Sequence, residues 1–142
     1  MLLTDVNVLV YASRPADERQ ERVRDWLQQT IDGPEAFGVS DLVLSGFLRV
    51  VTHPRAFKRP TATKDALKFA MALRHRPNAV TIAPGPRHWE IFTALCDGGD
   101  VRGSLVPDAY LAALAIESGS EWVTADRGFA RFAGLRWRHP LD

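Results

Sequence analysis

Short apolar segments that alternate with longer amphipathic ones are the feature that most restricts how this chain can fold. Four such segments, with a possible fifth at the end, have the length and composition of buried strands: residues 2–4, 36–39, 80–83, 122–124 and 135–137. Parallel strands are joined by right-handed crossovers through helices. The alternation therefore predicts an α/β fold with an open, mostly parallel sheet of four or five strands and helices on both faces.

Between these strands, apolar residues recur at three- and four-residue steps among polar ones, which predicts amphipathic helices. A short helix is expected directly after the first strand, and longer helices are expected at residues 16–31, 40–51, 61–73, 87–96 and 108–118. Ser40 is a suitable N-cap, Pro107 suits a helix start, and Gly119 suits a helix end. By periodicity, most of the four tryptophans (Trp26, Trp89, Trp122 and Trp137) should belong to the core, and Cys96 should be buried.

Length and composition indicate an ordinary globular protein. The chain has 142 residues, which predicts one domain spanning 1–142. Its apolar fraction of 46% and charged fraction of 25% argue against disorder. A formal net charge of +1 gives no strong overall attraction to nucleic acid. Between Arg49 and Arg76, however, eight basic residues face a single acid, Asp65, so one face should be basic.

The single cysteine, Cys96, excludes an intrachain disulfide and suits a reducing compartment. The N-terminus has neither a basic region nor a long apolar run, so we expect no signal peptide and no membrane span. A cytoplasmic location is therefore expected.

Three aspartates occupy positions where sites form in parallel sheets. Asp5 follows the first predicted strand, and Asp126 lies two residues beyond the strand at 122–124. Asp108 is placed at the start of a helix. Because ligands bind at the carboxyl ends of parallel strands, these acids are expected to meet in one cleft. Taken singly, each acid fits a helix cap or a turn equally well, and only their joint arrangement favours a site.

Clustered carboxylates repel one another, so without a cation at least one should bind a proton. Mg²⁺ or Mn²⁺ removes that conflict and prefers oxygen ligands. Such an ion acidifies and orients water and neutralises charge on a phosphoryl oxygen. Asn7 and Thr124 are expected to hold the carboxylates or the attacking water.

Five stretches of the sequence resemble the PIN-domain nucleases, and in particular the VapC toxins of mycobacterial type. The resemblance covers nearly the whole chain in the expected order and rests on residues 4–11 (TDVNVLVY), 107–117 (PDAYLAALAIE) and 123–132 (VTADRGFARF), together with 48–52 and 134–137. It implies a three-layer PIN-like fold with an acidic pocket for Mg²⁺ or Mn²⁺. Matching motifs carry over Asp5, Asp108 and Asp126 as metal-binding acids, and Thr124 as the hydroxyl beside the last acid.

The same resemblance implies an endoribonuclease that cuts structured RNA, such as transfer or ribosomal RNA, and thereby inhibits translation. VapC toxins usually form homodimers and are neutralised by a VapB antitoxin, which binds the toxin groove and contacts operator DNA itself. Hydrolysis by water activated by the cation would leave a 3′-hydroxyl and a 5′-phosphate. Basic residues that include Arg49, Arg55, Lys58 and Arg59 are candidate RNA contacts.

Two positions depart from the family pattern. A family acid in the helix after the second strand corresponds to Gly46, and a further acid corresponds to Gly128. Asp41 lies too far around the helix to replace the acid missing at Gly46, and is interpreted as a helix-start residue. The departures leave open one ion instead of two, and an alternative function as a non-catalytic module that binds RNA or antitoxin. The histidines show no metal-ligand spacing and are interpreted as structural or surface residues.

Overall fold

The computed structural model describes residues 1–142 and contains a five-stranded, fully parallel sheet in the order β3-β2-β1-β4-β5. The strands are β1 (Leu2–Thr4), β2 (Phe37–Val39), β3 (Ala79–Thr81), β4 (Glu121–Val123) and β5 (Trp137–Arg138). The helices are α1 (Val6–Ser13), α2 (Glu18–Asp32), α3 (Asp41–Val51), α4 (Thr63–Arg74), α5 (His88–Gly98) and α6 (Leu105–Ser118), with a 3₁₀ helix at Arg127–Arg131. This confirms the predicted α/β class and all five strand candidates.

The first strand lies at the centre of the sheet, with β2 on one side and β4 on the other. Leu2 is in register with Phe37 and with Glu121, and Leu3 with Trp122. A backbone hydrogen bond of 2.9 Å from the Asp5 N–H to the Val123 carbonyl continues the pairing beyond β1. The carboxyl ends of β1 and β4 are therefore adjacent, which is what brings Asp5 and Asp126 to the same edge.

Small residues on α6 allow that helix to pack tightly against the rest of the core. Its alanines at positions 109, 112, 113 and 115 have no exposed surface, and neither has Trp122 of β4. Close packing of this kind depends on shape, so a larger side chain at these alanines would push α6 outwards. Because Asp108 lies on this helix, its position is set by the same contacts.

Helix α6 begins one turn earlier than predicted, at Leu105, so Pro107 is its third residue and Asp108 its fourth. The first four N–H groups of a helix have no partner within it, and proline is tolerated anywhere in that turn. Pro107 therefore lies within the first turn of α6 without being its first residue. The prediction that Asp108 begins a helix is wrong, although it remains in the first turn.

The expectation of a buried Trp89 is also wrong, because 68% of its surface is exposed. Trp26 and Trp137 are half-buried, as is Cys96. Helix α5 packs mainly against α6, so only the stripe that contains His88 and Phe92 is buried. The periodicity of the sequence identified the apolar side of α5, but it could not show that other elements cover only part of that side.

No helix of this protein is both long enough and apolar enough to cross a membrane.

Candidate active site

Asp5 is a buried carboxylate at the junction of β1 and α1. Only 6% of the residue is exposed. Its Oδ1 accepts the backbone N–H of Val6 at 2.7 Å, which caps α1, and its Oδ2 accepts the Thr124 hydroxyl at 2.6 Å. Asn7 donates its side-chain amide to the same Oδ2 at 3.1 Å. The carboxylate is thus held in one orientation by donors from two elements.

Thr124 and Asn7 connect the ends of the two central strands. The amide of Asn7 also donates to the Thr124 hydroxyl at 3.2 Å, and its carbonyl accepts the N–H of Ala125 at 3.0 Å. The Thr124 hydroxyl in turn accepts the N–H of Asp126 at 3.0 Å. The structure therefore places both predicted supporting residues in contact with Asp5 and with the segment that carries Asp126.

The electrostatic environment of Asp5 disfavours its charged form. Burial raises its pKa to about 6, the hydrogen bonds from Thr124 and Val6 oppose that rise, and the negative charges of Asp108 and Asp126 add to it. The pKa of Asp108 is raised by burial and by Asp126, while the guanidinium of Arg131 lowers it. The three acids therefore lie near enough to influence one another, as expected for carboxylates that share a cleft.

Asp126 is exposed and also serves as a local cap. Its Oδ1 accepts the N–H of Gly128 at 2.8 Å at the start of the 3₁₀ helix. Asp126 can therefore act both as a cap and as a site residue, because its other oxygen has no hydrogen bond within the protein and is free for a ligand. A Cβ at position 128 would come within 2.8 Å of Oδ1, so the glycine permits this cap.

The three acids do not form a closed ligand cage. No group of three His, Cys, Asp or Glu side chains converges tightly enough in this structure to hold an ion by itself. The set nevertheless offers hard oxygen donors of the kind that Mg²⁺ and Mn²⁺ prefer. Asp108 and Asp126 are accessible to water, which suits an ion that retains part of its hydration shell.

Gly46 lies on α3 beside this site. A Cβ at position 46 would come within 2.9 Å of the Cγ2 atom of Val6, so a larger residue requires Val6 to move. Asp41, the nearest acid on α3, instead pairs with Arg74 through hydrogen bonds of 2.8 and 3.2 Å. This confirms the interpretation of Asp41 as a helix-start residue and leaves α3 without an acid at the site.

An apolar groove opens next to Gly46, between α3 and α6. It has a volume of about 490 Å³. Its walls are mainly apolar and include Val6, Leu42, Phe92, Val106, Tyr110 and Leu111, with Arg49 as the one charged residue. The groove thus combines apolar walls with one cation, and it includes Val6 and Pro107, the chain neighbours of Asp5 and Asp108.

The predicted RNA contacts lie on α3 and on the loop that follows it. Arg49, Arg55, Lys58 and Arg59 are all exposed, and none forms an ion pair. The loop is fastened to α1 by Arg14, whose guanidinium carbon lies 4.0 Å from the centre of the Phe57 ring. Arg14 also donates to the Thr61 hydroxyl at 2.9 Å.

None of the histidines forms a hydrogen bond with Asp5, Asp108 or Asp126. The ring of His53 accepts the N–H of Arg55, and His88 is buried with its Nε2 2.9 Å from the Tyr110 carbonyl. Sequence reasoning missed Arg131, whose charge acts on Asp108. The sequence marks Arg131 only as a second arginine four residues after Arg127, and arginines at the protein surface are too common for that spacing to predict a role at the site.

Comparison with known proteins identifies a family and several close relatives. The PIN domain family matches residues 2–135. Ribonuclease VapC43 of Mycobacterium tuberculosis is 47% identical over 142 residues, covering 100% of this chain and 97% of the relative. Ribonuclease VapC25 of the same organism is 40% identical over 140 residues, covering 99% of each chain.

Solved structures agree on the fold. VapBC2 from Rickettsia felis, bound to a DNA fragment from its promoter, gives a TM-score of 0.68 at 15% identity and covers 96% of each chain. Mycobacterium tuberculosis VapC20, a sarcin-ricin loop cleaving toxin, gives 0.63 at 16% identity, covering 96% of this chain and 99% of that one. These matches confirm the resemblance that the motifs indicated: the chain belongs to the PIN-domain family, in its branch of VapC ribonucleases.

Proposed function

We propose that this protein, as one PIN domain spanning residues 1–142, is the toxin of a VapBC-type toxin–antitoxin pair and hydrolyses RNA phosphodiester bonds with the help of Mg²⁺ or Mn²⁺. Transfer RNA or ribosomal RNA is the expected substrate, and inhibition of translation the expected effect. The observation that carries the proposal is the buried Asp5 carboxylate, held by Thr124 and Asn7, whose pKa is raised in part by Asp108 and Asp126.

A divalent cation fits this arrangement for an electrostatic reason. Asp5 is ionised only at a free-energy penalty when its neighbours are also charged, and a cation removes that penalty. Its Oδ1 accepts one hydrogen bond and keeps a free lone pair, while Asp126 has an oxygen without a partner. Asp5, Asp108 and Asp126 would hold the ion, which supplies acidified water and charge neutralisation at the phosphoryl group.

The chain's own residues account for the orientation of the reacting groups. Thr124 and Asn7 hold the Asp5 carboxylate through Oδ2, which restricts its orientation and leaves Oδ1 with only the Val6 N–H as donor. Asp126 is exposed, and its oxygen without a partner would either ligate the ion or orient the attacking water. In-line attack on phosphorus would leave a 3′-hydroxyl and a 5′-phosphate.

Substrate binding is assigned to the exposed cations on α3 and its following loop: Arg49, Arg55, Lys58 and Arg59. Since these side chains form no ion pairs, they are available for phosphate contacts. Such contacts predict RNA affinity that falls steeply as salt is raised.

The proposed partner is a VapB-like antitoxin. The apolar groove of about 490 Å³ beside Gly46 suits a segment with apolar side chains, and Arg49 on its wall suits a carboxylate at that segment's edge. Binding there would cover the acids and block the substrate. Association into a homodimer and a cytoplasmic location remain predictions, and light scattering of the purified toxin tests the former.

The proposal is tested by incubating total RNA with purified, antitoxin-free protein in Mg²⁺, in Mn²⁺ or in chelator. Asp5→Asn and Asp108→Asn should lower cleavage by orders of magnitude. Asp41→Asn is the matched control, because it removes an acid that pairs with Arg74 away from the cleft. Discrete fragments that require the metal and vanish only in the two site variants are the expected result.

The alternative is a non-catalytic module that binds RNA or antitoxin, which the absence of an acid at Gly46 favours. It predicts intact RNA under every metal condition and RNA binding that survives chelation. That pair of results, obtained with folded protein, would refute hydrolysis and retain the binding role.

A further inference from the structure

A polar pocket lies beside the segments that follow β4 and β5, which in the sheet order are on the other side of β1 from β2 and its following helix α3. It has a volume of about 460 Å³ and is lined almost entirely by charged or polar side chains: Glu18, Arg19, Arg22, Arg127, His139 and Asp142. Arg127 directly follows Asp126 in the chain. An adjoining pocket shares Arg19 and His139 and reaches Ala125, whose N–H is held by Asn7.

His139 has an unresolved hydrogen-bonding conflict in this pocket. Only 4% of the residue is exposed. Its Nδ1 accepts the N–H of Leu141 at 3.1 Å, and its Nε2 lies 3.3 Å from Nη2 of Arg19. A neutral imidazole carries one proton and arginine only donates, so in either tautomer one ring N–H faces another donor. With Nδ1 accepting, both Nε2–H and the Arg19 guanidinium lack an acceptor where they meet.

The charges of the pocket favour an anion as that acceptor. Arg127 is already paired with Asp142 at 3.2 Å, and Asp142 also accepts the N–H of His139. Arg19 and Arg22 form no ion pair, and Glu18 is the single acid of the pocket without one. Two exposed guanidinium groups and a buried imidazole N–H therefore remain to bind a phosphate oxygen, which arginine contacts with two parallel donors.

We infer that Arg19, Arg22 and His139 form a phosphate subsite for the RNA strand, on the side of the acids opposite to Arg49. The inference rests on the proposed function, because it makes the ligand a phosphate next to the one that is cleaved. In the sheet order, α3 with Arg49 follows β2, Asp5 and Asp126 follow β1 and β4, and His139 follows β5. RNA that contacts both sets of cations would therefore be held on both sides of the acids. Two-sided contact fixes the position of the scissile phosphate more tightly than one-sided contact, since small misplacements reduce the rate strongly.

The test is equilibrium binding of a fluorescein-labelled RNA oligonucleotide by fluorescence anisotropy, in an Asp108→Asn background that prevents cleavage. Arg19→Ala and Arg22→Ala are compared with Arg24→Ala, which removes the same charge from α2. Arg24 pairs with Asp25 at 3.1 Å and does not line the pocket. The pocket variants should each lose about tenfold in affinity, as expected for one charge-assisted hydrogen bond.

The salt dependence provides a second readout. Each lost phosphate contact should lower the slope of log affinity against log salt by roughly 0.7 for a single strand, while Arg24→Ala keeps the wild-type slope. Titration with inorganic phosphate should shift the His139 ring resonances, and this shift should vanish in Arg19→Ala/Arg22→Ala. Affinities and slopes of the pocket variants equal to those of Arg24→Ala would overturn the subsite. If the pocket variants bind RNA more weakly but the wild-type protein cuts no RNA, the subsite is supported and only the proposed hydrolysis is refuted.

Discussion

Replacing Asp5 by Asn should make the metal-free protein more stable at neutral pH and less stable in acid. Burial and the neighbouring acids raise the pKa of Asp5 from 3.8 to about 6. The unfolded chain therefore releases this proton more readily than the folded one. The resulting penalty on the folded state is absent below pH 4, grows between pH 4 and 6, and is complete above the folded pKa.

The size of the effect follows from the pKa shift and the hydrogen bonds. A shift of about two units corresponds to roughly 3 kcal/mol of destabilisation at neutral pH. Asn has one acceptor oxygen, while donors approach both Asp5 oxygens, so the substitution loses one hydrogen bond, or about 1 kcal/mol. The free energy of unfolding of Asp5→Asn should thus exceed that of the wild type by about 2 kcal/mol near neutral pH, and fall below it near pH 4.

Urea denaturation in chelator, followed by circular dichroism from about pH 4 to 8, measures this difference. Asp41→Asn is the control with the opposite sign, because the hydrogen bonds from Arg74 lower the pKa of Asp41. Its stabilisation is present above the unfolded pKa and is lost as pH falls through the folded one. A difference between Asp5→Asn and wild type that does not change with pH would refute the reasoning. Excess Mg²⁺ should stabilise the wild type but not Asp5→Asn.

Three further substitutions test other contacts. In a Val6→Ala background, Gly46→Ala should stabilise α3 by about 1 kcal/mol. With Val6 present, the steric conflict between the new Cβ and Val6 should cancel this gain. Equal effects of Gly46→Ala in both backgrounds, measured by urea denaturation, would contradict the prediction. Arg14→Ala should loosen the loop 53–60 and weaken RNA binding, and unchanged hydrogen exchange in that loop would argue against it. Asp41→Asn should cleave RNA like the wild type, and loss of cleavage would assign Asp41 to the site.

The order of strands and helices was predictable from sequence because it depends on local periodicity. The positions of Asp5 and Asp126 were predictable for the same reason, because Asp5 directly follows β1 and Asp126 lies in the short turn after β4. Thr124 and Asn7 were also expected near Asp5, and hydrogen bonds join all three residues. Short-range patterns plus the strand-end rule were sufficient for this part of the site.

Features set by long-range packing were not predictable in this way. Trp89 is exposed because α5 lies at the periphery, a fact that its own sequence does not contain. The action of Arg131 on Asp108 joins two distant segments. The contact between Arg19 and His139 joins residues separated by 120 positions, and neither has a motif that would mark it.

The central position of β1 delays assembly of the site during protein synthesis. Asp5 is made before its partners Thr124 and Asp126, which lie more than a hundred residues later in the chain. At translation rates of about 5–20 residues per second, several seconds to some tens of seconds separate them. For that interval the nascent chain carries a first strand that can pair with β2 but not with β4, and an incomplete acidic cluster. The acidic site of this ribonuclease therefore forms only once the segment that carries Thr124 and Asp126 has left the ribosome.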